Sequence, residues 1–197
     1  MSTRAQGTTR FALLGLLSLG PCSGYDLKKL SQGSIAHFWS ESYGQIYPTL
    51  RRLEAEGLAS RSTQRNPGRP DRQVYALTAR GRQELERWLA LPARSEPPRS
   101  ELLLKLFFGG RVPAASSRRQ VEAFRALHQQ LLERYRQVER SLRAHHARHP
   151  DLPWWLITLN FGRHRSHAFV AWCNETLRQL EQLRGRAPRS PKRGGRK

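Results

Sequence analysis

Histidines, cysteines and arginines are the side chains whose type and spacing in this sequence suit chemistry. His145 and His149 stand four residues apart, and His164 and His167 three apart. On helices these intervals place two imidazoles on one face, as a metal requires. Neither pair is joined by a carboxylate or thiol at ligand spacing, and Arg148, Arg163 and Arg165 nearby repel a cation. His146 adds only a neighbour to His145. No metal site and no cofactor are expected. Cys22 and Cys173 are the only two cysteines, far apart in the chain, which predicts no disulfide framework and a reducing compartment. Cys22, beside a Pro turn, reads as a small apolar filler. No glycine-rich phosphate loop, nucleophile elbow or paired-carboxylate arrangement appears, so no enzyme is expected.

The arginines remain. Lys plus Arg number 35 against 15 Asp plus Glu, a formal charge of +20. A chain this basic attracts polyanions, nucleic acid first and an anionic membrane surface second. Nearly all the cations are Arg, whose planar fork suits phosphate and guanine. The longest apolar run, near Phe11–Leu19, is too short to cross a bilayer. No stretch has the order of a signal peptide, and the expectation is a soluble cytoplasmic protein without a membrane partner.

Positioning these cations requires folded elements, and the sequence marks them. Phe11–Leu19 reads as an apolar helix stopped by Gly20-Pro21. Ser23 and Asp26 have capping-box spacing and open a second helix, where Tyr25, Leu27 and Leu30 are apolar and Lys28 and Lys29 face outward. Ser42 and Gln45 have the same spacing before a third helix. Ile46, Leu50 and Leu53 form its buried face, and Gly57 ends it. The opposite face carries Gln45, Pro48, Arg51, Arg52 and Ala55, flanked by Gly44 and Tyr47. Pro48 requires either a late helix start or a local kink. Two extended segments, Ala59–Gln64 and Arg72–Leu77, surround the breaker cluster Asn66–Pro70 and read as a β-hairpin with Arg65, Arg69 and Arg72 near its tip. Thr78 then caps a fourth helix containing Leu85, Trp88 and Leu89.

Three helices followed by a basic hairpin describe a winged helix-turn-helix, whose third helix enters the major groove while the wing grips the backbone. Gln45, Tyr47 and Pro48 are the expected base readers. Arg51, Arg52, Arg65, Arg69 and Arg72 are the expected phosphate contacts, with Tyr25, Lys28 and Lys29 of the second helix beside them.

The stretches Phe11–Leu17, Ser23-Gly-Tyr-Asp26, IYPTLRRLEAEGL at 46–58 and GRPDRQVYALTARGR at 68–82 resemble the PadR family of bacterial transcriptional regulators. The likeness covers residues 9–90. It continues more weakly through ELLLKLFFG at 101–109 and the Trp172 to Leu183 segment, similar to the helical domain of the larger, virulence-activator-type subgroup. The resemblance implies a homodimer on a pseudo-palindromic operator, repressing its own or neighbouring genes, and suggests a small apolar effector.

Residues 92–99 read as a linker between a DNA-binding domain at 1–91 and a helical domain at 100–183. Ser100 caps a short apolar helix that stops at Gly109-Gly110. Residues 116–147 form a long amphipathic helix striped by Val121, Phe124, Leu127, Leu131, Tyr135, Val138 and Leu142. Asp151 and Pro153 start another, striped by Leu159, Gly162, Ser166, Phe169, Cys173, Leu177 and Leu180. The two suit an antiparallel hairpin that embraces its copy. Val121, Phe124, Leu131, Tyr135, Val138, Leu142, Phe169, Leu177 and Leu180 are therefore the expected dimer contacts. The fold expected is mainly α with a small β-hairpin wing. The aromatic supply of this half, Phe108, Trp154, Trp155 and Trp172 above all, suggests a pocket for a planar apolar ligand. Residues 184–197, basic and without acids, read as a disordered tail. The competing function is a DNA-coating structural protein that binds by charge alone.

Overall fold

A computed structural model of the chain describes residues 3–35, 38–39, 43–65, 71–93 and 99–183. The proposed Ser42 cap, the hairpin tip with Arg69, most of the proposed linker and the basic tail lie outside the described residues. The chain divides into two compact units, residues 1–95 and 96–197.

In the first unit, α1 (Thr3–Ser18), α2 (Gly24–Gly33), α3 (Tyr43–Ala55) and α4 (Ala79–Leu89) surround a three-stranded antiparallel sheet. The sheet contains β1 (Cys22–Ser23), β2 (Ala59–Gln64) and β3 (Arg72–Leu77) in the order β1-β3-β2. The hairpin pairs Ala59 with Leu77 and Gln64 with Arg72. α1 reaches eight residues further toward the N-terminus than the apolar run. Its first residues carry no apolar period, so only its C-terminal half is marked in sequence. Leu13, Leu14 and Leu17 of α1, Leu27 of α2 and Ile46, Leu50 and Leu53 of α3 are buried together. Each such side chain contributes about 1.5–3 kcal/mol by leaving water. Phe11 stacks on Trp88 at 4.6 Å, fastening α4 to α1.

Two junctions fix this unit. α3 ends in a Schellman motif: Leu58 N–H donates to Leu53 O at 2.8 Å and Gly57 N–H to Glu54 O at 2.9 Å. Gly57 adopts φ +69°, a left-handed conformation open to glycine without strain. The Thr78 hydroxyl then donates to Gly57 O at 2.8 Å and accepts from Gly81 N–H at 3.0 Å, locking the end of α3 to the start of α4. Gly81 must lack a side chain here, because a Cβ would lie 2.0 Å from Leu58 O.

In the second unit, α5 (Glu101–Phe107) is capped by Ser100, whose Oγ accepts from Leu103 N–H at 3.3 Å. A 3-10 turn (Gly109–Arg111) leads to α6 (Ala114–His145) and α7 (Leu152–Gln182). These two helices pack as an antiparallel hairpin, tied by Arg118–Glu181 at one end (2.6 Å) and Arg163–Glu139 toward the other (2.8 Å). Val121, His128, Leu132 and Tyr135 of α6 are buried against α7, whose buried residues are Leu159, Gly162, Ser166 and Cys173. Among the described residues no helix is long and apolar enough to cross a membrane.

Candidate nucleic-acid interface

The third helix offers its face as its spacing dictates. Ile46, Thr49, Leu50 and Leu53 are buried, while Tyr47, Pro48, Arg51 and Arg52 are exposed and Gln45 is half-buried. Pro48 sits inside the helix, which neither starts late nor stops there. It is the sixth residue of α3, past the orphan N–H groups of a helix start, so the helix forgoes one i→i−4 bond there.

The start of α2 is capped, and one close contact sets α3 against it. The Ser23–Asp26 capping box is complete. The Tyr47 ring lies so close over Gly24 that a Cβ on Gly24 would meet its Cε1 at 2.6 Å. The Tyr47 phenol edge nonetheless stays 44% exposed, and Tyr25 is 62% exposed beside it. Lys29 is exposed and Lys28 half-buried. Tyr25 and Lys29 of α2 and Tyr47, Arg51 and Arg52 of α3 are thus exposed, with the Gln45 amide half-buried.

The wing supplies less free charge than its sequence implied. Arg65 is exposed at the end of β2. Arg61 is held by Glu54 of α3 at 2.9 Å. Thr63 and Gln73 pair across the hairpin, with Gln73 Nε2 donating to Thr63 Oγ1 at 3.1 Å. Arg72, expected as a free phosphate contact, is ion-paired with Asp26 of α2. That partner stands 46 residues away in sequence, and no local signal announces it. Sequence reasoning missed the contacts of Asp26, Gly24 and Glu54 with Arg72, Tyr47 and Arg61; the capping-box spacing pointed to Asp26 for its helix role alone.

In the second unit, the residues expected at a dimer contact differ in exposure. Val121 and Tyr135, expected at a dimer contact, are 0% and 3% exposed within one chain. α7 of the same chain covers these two, while Phe124, Leu131, Val138, Leu142, Phe169, Leu177 and Leu180 are half-buried. The most exposed large apolar groups of this unit lie elsewhere: Trp154, Ile157 and Phe161 on α7, each at least 60% exposed, and Leu103, Leu104 and Phe107 on α5. Periodicity shows that a helix has an apolar face but not whose helix covers it.

The four rings proposed for a ligand pocket do not converge. Trp155 stacks on His149 at 4.4 Å beside the turn between α6 and α7, and Trp154 is exposed. Trp172 meets Phe124 edge-on at 6.3 Å in the seam. It lies 17 residues along α7 from Trp155, about 26 Å at the rise of a helix. Phe108 packs on Phe107 just after α5. A cleft lined by Arg10, Glu56, Arg80, Glu84 and Arg87 occurs in the first unit, and it is charged.

His128 occupies the seam unannounced. Its Nδ1 lies 3.0 Å from Ser166 Oγ, and its ring packs on Phe124 and Phe169. Burial, then the Arg165 charge, lowers its pKa. Among the described residues no three His, Cys, Asp or Glu side chains gather as a metal site. Both cysteines are free thiols, and burial raises the pKa of each.

Comparison with known proteins places these features in context. Residues 13–87 match the transcriptional regulator PadR-like family, and residues 98–181 match the virulence activator alpha C-terminal domain. A probable transcriptional regulator of Mycobacterium tuberculosis is 30% identical, with 88% of this chain and 97% of that protein covered. The negative transcriptional regulator PadR of Bacillus subtilis is 28% identical over 88% and 97% of the two chains. The crystal structure of Bacillus subtilis PadR in complex with operator DNA superposes with a TM-score of 0.76 at 26% identity, covering 88% of this chain and 99% of that one. Its complex with p-coumaric acid superposes with a TM-score of 0.69 at 26% identity, covering 87% and 98%.

Proposed function

The chain belongs to the PadR-like family of transcriptional regulators, and from that premise we propose that it is a homodimeric repressor of its own or neighbouring genes. It seats two α3 helices in successive major grooves of a pseudo-palindromic operator. Gln45, Tyr47 and Pro48 meet base edges. Arg51, Arg52 and Arg65 hold phosphates, with Arg69, Tyr25, Lys28 and Lys29 adding to the grip. The observation that carries this reading is the exposed aromatic and guanidinium face of α3, with the half-buried Gln45 amide beside it, on a fold that superposes on an operator-bound relative. Repression is supported by the negative regulator among the relatives.

Dimerisation is supported by the stripe of Trp154, Ile157 and Phe161. These stand at i, i+3 and i+7 on one face of α7 and are uncovered in a single chain. A small aromatic effector, as the p-coumaric acid complex of the relative suggests, releases the operator by binding the DNA-free dimer more tightly than the bound one. The protein works in the cytoplasm without a membrane partner.

The test is selection of duplexes from a randomised pool with the full chain, followed by titration of the selected and a scrambled duplex. The reading expects a preference of roughly a thousandfold or more. Equal affinity for both would identify a protein that coats DNA by charge.

A further inference from the structure

Asp26 is where three parts of the first unit meet. Its Oδ2 accepts from Ser23 N–H at 3.0 Å and from the Ser23 hydroxyl at 2.8 Å. The same oxygen takes Nη2 of Arg72. Ser23 belongs to β1 and pairs with Val74 of β3. Arg72 opens β3 and pairs across the hairpin with Gln64 of β2. One carboxylate therefore joins the start of α2, the short strand and the root of the wing. Gly24, inside the same Ser-Gly-Tyr-Asp stretch, seats the Tyr47 ring of α3.

All three donors converge on one oxygen, which carries about two of the carboxylate's four acceptor sites, so the cap and the guanidinium share it. Both side chains are partly exposed, 42% for Arg72 and 33% for Asp26. Charge attraction alone is then weak. The effect of the contact is directional: it fixes a guanidinium that would otherwise sweep over the wing. An arginine already neutralised by a carboxylate also gains little from a phosphate.

We propose that Asp26 and Arg72 form a strut that sets the wing against α2 and α3, so that Arg72 serves DNA binding by positioning the wing and not by holding a phosphate. The proposal rests on the DNA-binding reading above and replaces the phosphate role expected of Arg72 from sequence.

The test titrates the selected duplex with full-length wild type, Arg72→Ala, Arg72→Lys, Asp26→Asn and the Asp26→Asn, Arg72→Ala double variant across a salt series. Asparagine still accepts from Ser23, so Asp26→Asn removes the charge and leaves the cap. A strut predicts that each single variant weakens binding by on the order of fivefold and that the double variant is no worse than either. It also predicts a wild-type slope of log affinity against log salt in all of them. Arg72→Lys keeps charge but not the planar fork and weakens binding as well. A phosphate contact predicts the reverse. Arg72→Ala then flattens the slope by about one unit, Arg72→Lys binds as wild type, and Asp26→Asn binds more tightly because it releases the guanidinium. That pattern overturns the proposal.

Hydrogen exchange of the DNA-free chain reads the strut without DNA. The β3 amides of Asp26→Asn and Arg72→Ala exchange faster than wild type, while circular dichroism shows both folded. If wild type selects no duplex, the DNA-binding reading fails by itself. Unchanged β3 exchange in both variants sinks the strut in either case.

Discussion

Replacing Gly24 with alanine adds one methyl group where α2 meets α3. The new Cβ would stand 2.6 Å from Tyr47 Cε1 and 2.9 Å from Cζ. Ordinary contact between carbons is near 3.5 Å, so the ring must retreat by roughly 0.9 Å. Two effects on stability oppose one another. Gly24 is the first residue of α2, where alanine gains only a small part of the roughly 1 kcal/mol it has over glycine in mid-helix. Overpacking costs typically about 1–3 kcal/mol, and here it falls at the low end, because the Tyr47 ring is 44% exposed and has room to move. The net loss is about 1 kcal/mol, a fall in Tm of about 4–8 °C for a unit of this size. Binding suffers more. A base contact is worth about 1–3 kcal/mol, and Tyr47 displaced by most of an ångström forfeits a large part of it. Operator affinity is expected to fall about tenfold. Thermal circular dichroism gives the first quantity and fluorescence anisotropy with labelled duplex the second. A variant with wild-type affinity would refute the claim that Gly24 seats Tyr47 for DNA contact, whatever its Tm.

Three further predictions address the frame around the interface. Thr78→Val keeps the shape but removes both hydroxyl bonds between α3 and α4, and is expected to cost about 1–2 kcal/mol in thermal unfolding. His128 has a lowered pKa through burial and then Arg165. The unfolded chain therefore binds its proton more readily, and stability falls as pH drops through about 6.5 and below. His128→Gln should flatten that dependence in melts between pH 7.5 and 5.5. Ile157→Glu with Phe161→Glu places charge on the uncovered stripe of α7, and sedimentation should show monomers where wild type shows dimers.

How much of this was legible in the sequence depended on the range of the interaction. Ser23 with Asp26, Gly57, Thr78 and Ser100 act on backbone groups a few residues away, and each marks an element end correctly. The hairpin strands follow from a breaker cluster between two extended runs. The two-residue β1 was not legible, because Cys22 and Ser23 become a strand only by pairing with Tyr75 and Val74. The Asp26–Arg72 contact and the Gly24–Tyr47 packing were hidden for the same reason. On α6 the stripe was right in period but drifted in phase. Leu127 is 49% exposed, whereas His128, passed over as polar, is buried with a hydroxyl and two rings for company. Amphipathicity carries no information about which chain supplies the partner, so the α6 stripe did not say how much of it α7 of the same chain covers.

The most direct test of the central claim is to repeat the duplex selection with full-length Gln45→Ala. Gln45 lies on the first turns of α3, half-buried beside the exposed Tyr47 and Pro48. A dimer reading two half-sites through this face loses its base preference at one position in each half, symmetrically. The centres of the half-sites stay about one helical turn or a multiple of it apart. Discrimination at those positions falls by about 1–3 kcal/mol. A variant that selects the same duplexes as wild type, or that changes an asymmetric single site, would contradict the account.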